Sequence, residues 1–478
     1  MEAILMATKN KQLYDMTEGA LLPKLIKYSL PLVATGILQV FYNAADMIVV
    51  GRFASDFAMG AVGACGSLIN LIVNAFIGLS VGTSICVAHA IGAKDNEKVR
   101  RLVHTSLFLG IVFGIAVGIF GFFMAEPLLL MMETPENLLV EAVPYMKAYF
   151  VGIPAGLIYN FLAAALRSSG DSKRPLIFLA LSGIINVALN MVMVLGFGMG
   201  AIGVGIATSV SQVASALMIV VFMMKTSGPC RIRFRDVRAY RFELIDIVRT
   251  GVPASVQSVV FSLSNVLIQS SINQYGDIAV SGNTAAGNIE SFIYVAMNAV
   301  YQAVLTFVGQ HVGAGKLERI KKIVLLSALI VTVLGVLLGT LAYVFHEPLL
   351  EIYKPGDDPI KVAIRQAGAD RMSMICTTYF LCGIMEVLSG TLRGMGKSVL
   401  PMGVSIFGSC LLRIVWIYTV CPIFTGNISV LYLAYPVTWA ITILGHLTCC
   451  VVAYRIMVRK RDARLLSDAA EKPESVAV

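Results

Sequence analysis

IGAKDNEKVRRLV at 91–103 and VGAGKLERIKKIV at 312–324 are two copies of one pattern: an apolar run closing on small residues, a charged turn, and the start of another apolar run. Working outward, AEPLL (125–129) pairs with HEPLL (346–350), and LRSSGDSKRP (166–175) with LRGMGKSVLP (392–401). The offset drifts only from 221 to 226 residues. Around these motifs lie apolar runs long enough to cross about 30 Å of hydrocarbon. The first six fall at 28–50, 58–90, 100–123, 140–165, 175–196 and 200–224. The second six fall at 247–270, 279–312, 323–345, 366–391, 399–421 and 429–455. The chain therefore reads as an all-α integral membrane protein of twelve transmembrane helices in two six-helix halves. Six spans per half start both copies on the same side, so the repeats are parallel, an arrangement typical of transporters with a site between the halves. The expected organisation is an N-terminal segment 1–27, an N-lobe 28–224, a linker 225–246, a C-lobe 247–455 and a tail 456–478.

Composition agrees. Of 478 residues, 57% are apolar and 14% charged, with mean hydropathy +0.81, which excludes a soluble globule with a normally charged surface. Lys9, Lys11, Asp15 and Glu18 interrupt the first apolar stretch, so it is not expected to be a cleavable signal. The nine cysteines mostly fall inside apolar runs and form neither a disulfide framework nor a zinc spacing.

The net charge of +9 is a matter of topology. Thirty of the 37 basic residues lie in the termini and alternate loops on one side, including Lys94 to Arg101, Arg167 to Arg174, the arginine-rich linker, Lys316 to Lys322, Arg393 and Lys397. The opposite loops hold Arg52, Lys354, Lys361 and Arg365 beside Glu126, Glu133, Glu136, Asp277, Glu347 and Glu351. By the positive-inside rule both termini are expected in the cytoplasm of a cell with a bacterial-type cytoplasmic membrane. The basic face is read as lying against anionic lipid, with no nucleic-acid partner.

Ionisable groups inside spans are costly and point to function. Asp46 sits in QVFYNAADMIVVGR (39–52), with Tyr42 and Asn43 on the same helical face; the rival reading is a solvated helix end beside Arg52. The second half carries Glu290, Glu386 and Arg413. Asp46 aligns with Ile268 across the repeat, Asn43 with Asn265, Asn160 with Glu386 and Ile69 with Glu290, so the two halves place their carboxylates differently. Arg413 is expected to pair with Glu386 or Glu290, and either glutamate left free would meet a cationic substrate or a coupling ion. His89 and His311 end their runs on the basic side, where a helix C-terminus favours an imidazolium cap; a proton relay is the alternative.

Several motifs in order, DMTEG (15–19), YNAAD with VGR (42–52), IGAKD (91–95), LRSSGD (166–171), VGQHVGAG (308–315) and LRGMGKS (392–398), make the chain resemble the multidrug and toxic compound extrusion (MATE) family over about 15–455. It is most similar to the branch of archaeal and DNA-damage-inducible-type bacterial members. The resemblance implies two lobes set as a V that export organic cationic or amphipathic compounds in exchange for H⁺ or Na⁺. It also implies an N-lobe polar pocket of Tyr42, Asp46, Asn160, Asn186 and Thr208. Asn190 stands where that branch commonly has a second aspartate, so a coupled two-carboxylate titration is absent. Asn186 and Asn190, at i and i+4, face one side and serve either as an ion site with Asp46 or as interhelical glue, as Asn160 also does.

Beyond the coupling ion no cofactor is expected, and no ATPase motif occurs. Other partners are small amphipathic molecules and the bilayer, with the chain a monomer. The five histidines do not gather with carboxylates as an enzyme would need, and no filter loop marks a channel. The nearer rival is a related flippase or exporter of lipid-linked or other amphiphilic substrates. That reading wants several cations around the cavity, and only Arg413 is expected to be buried there. Pro31 marks a place where the first helix can bend.

Overall fold

The computed structural model describes residues 16–54, 58–424 and 427–470. Lys9, Lys11, Asp15 and Lys472, and with them the outer parts of both terminal segments, lie outside the described residues. Among those described, twelve helices are long and apolar enough to cross a membrane. They are α1 Leu21–Phe53, α2 Ala58–Gly92, α3 Asn96–Met131, α4 Glu136–Ser168, α5 Lys173–Gly196 and α6 Gly200–Lys225. The second half has α7 Arg241–Asn273, α8 Asp277–Gly313, α9 Glu318–Val344, α10 Pro359–Gly394, α11 Val399–Thr419 and α12 Ile428–Ala463. A short helix, His346–Tyr353, joins α9 to α10. Helical backbone is what hydrocarbon demands, because each N–H and C=O must be satisfied within the segment.

Most helices overrun their apolar runs. Hydropathy records the thickness of the hydrocarbon, whereas a helix stops where its end groups find other partners. Asp95 accepts from Lys98 N (2.9 Å) at the start of α3, and Asp358 accepts from Ile360 N (2.9 Å) ahead of Pro359 in α10. The repeated motifs are matching caps. Lys94 and Gly315 take the same left-handed conformation (φ 58° and 69°) after α2 and α8, and Gly170 and Gly396 (98° and 74°) do so after α4 and α10.

Within the lobes, α4 packs on α2, α3 and α6, and its repeat counterpart α10 packs on α8, α9 and α12. Across the lobes, α2 meets α7 and α8, and α1 meets α8. The described cross-lobe hydrogen bonds gather at the end that carries the basic loops. His89 Nε2 on α2 bonds the Gly394 carbonyl that ends α10 (2.7 Å), while Gln310 Nε2 on α8 donates to the Ser168 carbonyl that ends α4 (2.8 Å). These are one contact made twice by the repeat. The counterpart of His89 is thus Gln310, one residue before His311, and His89 satisfies the end of a helix in the other lobe rather than its own. The same crossing leaves no room for a Cβ at Gly92, against the Gln310 backbone, or at Gly313, against the His89 backbone.

The fifth helix of each lobe contains a π turn: Met191–Gly196 follows Asn190 in α5, and Ile406–Leu411 precedes Arg413 in α11. Such turns often mark functional sites.

Candidate functional site

Two polar regions stand out. The first lies inside the N-lobe, between α1, α5 and α6. Asn190 Nδ2 donates to Asp46 Oδ1 (2.5 Å) and is 3.3 Å from Asn186 Oδ1; Asn186 Nδ2 donates to Thr208 Oγ1 (3.4 Å), whose hydroxyl reaches Asp46 Oδ2 at 3.5 Å. Asp46, Asn186, Asn190 and Thr208 therefore form one cluster. Among the described residues no basic group lies within ion-pair distance of Asp46, and Arg52 is not its partner. The Oδ1 of Asn190 is buried without a partner, so the cluster has an acceptor to spare.

Other expected members are elsewhere. The Tyr42 hydroxyl donates to the Leu179 carbonyl (2.7 Å), clamping α1 to α5 without touching the carboxylate. Asn43, one position on from Tyr42, is turned to the exposed face of α1. Asn160 lines the cavity between the lobes rather than the Asp46 cluster.

That cavity, about 830 Å³, is the second region. The two regions are offset along α1: Thr35, Gly36 and Gln39 line the cavity, and Asp46 lies seven residues beyond Gln39, two turns on along the same helical face and about 10 Å away. Four arginines line it, Arg167, Arg371, Arg393 and Arg413, against two carboxylates, Glu290 and Glu386.

The partner expected for Arg413 is not the one observed. Arg371 takes Glu290 in a two-pronged pair (Nε–Oε1 2.8 Å, Nη2–Oε2 2.7 Å), both side chains nearly buried, and also bonds Asn283. Arg413 donates its Nε to Thr438 Oγ1 (3.1 Å) and lies over the rings of Tyr435 (4.3 Å) and Trp439 (5.9 Å). The reason is geometric: a planar fork matches a carboxylate bidentately, and α10 packs along α8, which sets Arg371 opposite Glu290. Glu386, also on the cavity wall, has no basic group within ion-pair distance among the described residues.

Arg371 and Arg393 escaped the sequence reading. Arg371 follows Asp370 near the start of its apolar run and resembles a solvated pair; Arg393 sits in a motif read as a cytoplasmic turn. Both are buried, Arg393 against the Tyr301 hydroxyl and Gln257 Oε1. The available signal was the position of Arg371 five residues inside a span. All nine cysteines are free thiols, and the described residues contain no cluster of three or more metal-ligating side chains.

The MatE family model matches residues 31–192 and 253–419, one block in each lobe. The chain belongs to the MATE family. Among curated relatives, the MATE chain is 28% identical over 426 residues to "Probable multidrug resistance protein YoeA" of Bacillus subtilis, covering 87% of this chain and 90% of that one. It is 20% identical over 463 residues to the "Multidrug export protein MepA" of Staphylococcus saprophyticus, covering 97% and 99%. A solved MATE transporter described as outward-facing matches the fold with a TM-score of 0.86 at 20% identity, over 95% of this chain and all of that one. The protein is a transporter of a non-enzymatic family, with multiple spans through a membrane.

Proposed function

We propose that this MATE transporter is an antiporter that exports amphipathic compounds in exchange for H⁺ or Na⁺, with Asp46 as the coupling site. The observation that carries the reading is a carboxylate inside a span, held by amide and hydroxyl groups and, among the described residues, by no basic side chain. Ionised, Asp46 accepts from Asn190 and Thr208 and ties α1 to α5 and α6. A proton on Asp46, or Na⁺ between Asp46 and the spare Asn190 oxygen, removes that charge and changes which packing of α1 is favoured. Because the turns of α1 before Asp46 line the cavity and α1 packs on α8, repacking at Asp46 reaches the cargo site and the lobe contact together.

The lobes 28–224 and 247–455 are the moving bodies, joined by the linker 225–246, in a monomer in the cytoplasmic membrane. With the basic loops in the cytoplasm, closure at that end makes this the outward-open half of the cycle. Reconstituted vesicles loaded with an amphipathic dye, with pH and Na⁺ gradients imposed separately, test the coupling. One gradient should drive efflux, and Asp46→Asn should reduce it to the rate without a gradient while the protein still elutes as a folded species. Undiminished gradient-driven efflux by that variant overturns the assignment.

A second reading, export or flipping of lipid-linked or other amphiphilic substrates, is favoured by one observation: the cavity wall carries four arginines where one was expected. A vesicle assay scoring transfer of a lipid-linked fluorophore between leaflets separates it from dye efflux.

A further inference from the structure

The C-lobe wall of the cavity holds more positive charge than its carboxylates neutralise. We propose that this wall binds the oxyanion of an amphipathic cargo, a carboxylate or phosphate, between Arg413 and Arg371, with the apolar body of the cargo lying along Tyr379 and Trp439. The inference narrows the cargo class of the transport reading above and rests on it.

Arg413 carries the argument. It is 3% exposed, lies within a membrane span, and has its only described hydrogen bond through Nε to Thr438. A guanidinium offers five N–H donors in a fixed fork, so the four Nη N–H groups of this cavity-lining residue are without a described acceptor. Among the described residues no carboxylate lies within 4.0 Å of it. An unpaired arginine at bilayer depth is expensive, and the stacking on Tyr435 and Trp439 offsets part of that cost without using the fork.

The neighbourhood repeats the theme. Arg371 lies over the same Tyr435 ring (5.5 Å), already paired with Glu290 but adding its field. Arg393 rests on two neutral groups, Tyr301 and Gln257, and its Nε is buried without any partner. Glu386 is the one carboxylate of the wall outside an ion pair, so a cationic cargo has one anchor where an anionic one has two or three. Planar bidentate recognition of a carboxylate or phosphate is what a free guanidinium fork provides.

The test is equilibrium binding to the full chain in nanodiscs of zwitterionic lipid, with no ion gradient, so that coupling plays no part. Octyl phosphate, octanoate and octyltrimethylammonium share one apolar tail and differ in charge; each is titrated by calorimetry. The two anions should bind at least tenfold more tightly than the cation. Arg413→Gln should weaken octyl phosphate at least tenfold, and Arg413→Lys, which keeps charge but not the fork, by less. Discs doped with phosphatidylglycerol identify the source of the oxyanion: competition with octyl phosphate points to a lipid headgroup, and its absence to a soluble amphiphile, both consistent with the proposal. Cation binding as tight as anion binding overturns it, as does unchanged octyl phosphate affinity in Arg413→Gln. If Arg413→Gln does not fold, the charge selectivity of the unmodified chain decides by itself, with Arg393→Gln as the second variant. A protein that binds the anions but shows no gradient-driven efflux loses the coupling reading and keeps this one. One that couples efflux to a gradient but prefers the cation does the reverse.

Discussion

The two lobes share a scaffold and differ in how they carry charge. The N-lobe holds one carboxylate among neutral amides and a hydroxyl, away from the cavity; the C-lobe holds a bidentate Glu290–Arg371 pair, with Arg393 and Arg413, on the cavity wall. A charge without a counter-charge responds to a proton or an ion, whereas one already forked to a partner is satisfied and rigid. The difference teaches that duplication supplied two equivalent frames, and that different residues inside them leave an unpaired carboxylate in one and a charged wall in the other.

The comparison breaks most readily at the C-lobe pair. Glu290→Gln leaves Arg371 buried and unpaired, and should cost about 3–5 kcal/mol in thermal unfolding in detergent. Adding Arg371→Met should restore most of that loss. A single-variant cost near zero would mean that the pair is solvated and the lobes are alike. A smaller effect is expected at the N-lobe site: Asp46→Asn keeps an acceptor for Asn190, and its unfolding should change by no more than about 1 kcal/mol even as coupled efflux is lost. A large destabilisation there would make Asp46 structural.

The smallest effects test what the lobes retain in common. His89→Ala and Gln310→Ala each remove one of the two matched cross-lobe bonds, worth about 0.5–1.5 kcal/mol. Each should raise the labelling rate of a cysteine placed at Ser84, on the α2 wall of the cavity, probed from the basic-loop side, by a similar factor. Unequal factors would show that the closed end is not symmetric.

The twelve spans and the repeat were legible because hydrocarbon thickness and internal backbone bonding write themselves into composition over twenty-residue windows. The matching motifs were legible as turns, and the structure adds why Gly92 and Gly313 stand where they do: two backbones cross there. Asp46, Asn186, Asn190 and Thr208 converge because their helices pack, and the family resemblance placed them together before the geometry did. Tyr42 and Asn43 share α1 with Asp46 yet their side chains go elsewhere, and Asn160, on α4, lines the cavity, since neighbouring helices select which side chains of each helix meet.

By itself, then, the sequence determined the membrane class, the duplicated frame, the basic face and the presence of charge at bilayer depth. Only the tertiary structure decided which charges meet. Arg371 and Glu290 are 81 residues apart along the chain, and Arg413 finds two aromatic rings rather than a glutamate. The physical reason is that burial penalties act over a single segment and so leave a record in composition. The choice of partner depends instead on distances of a few ångströms between helices that only packing brings together.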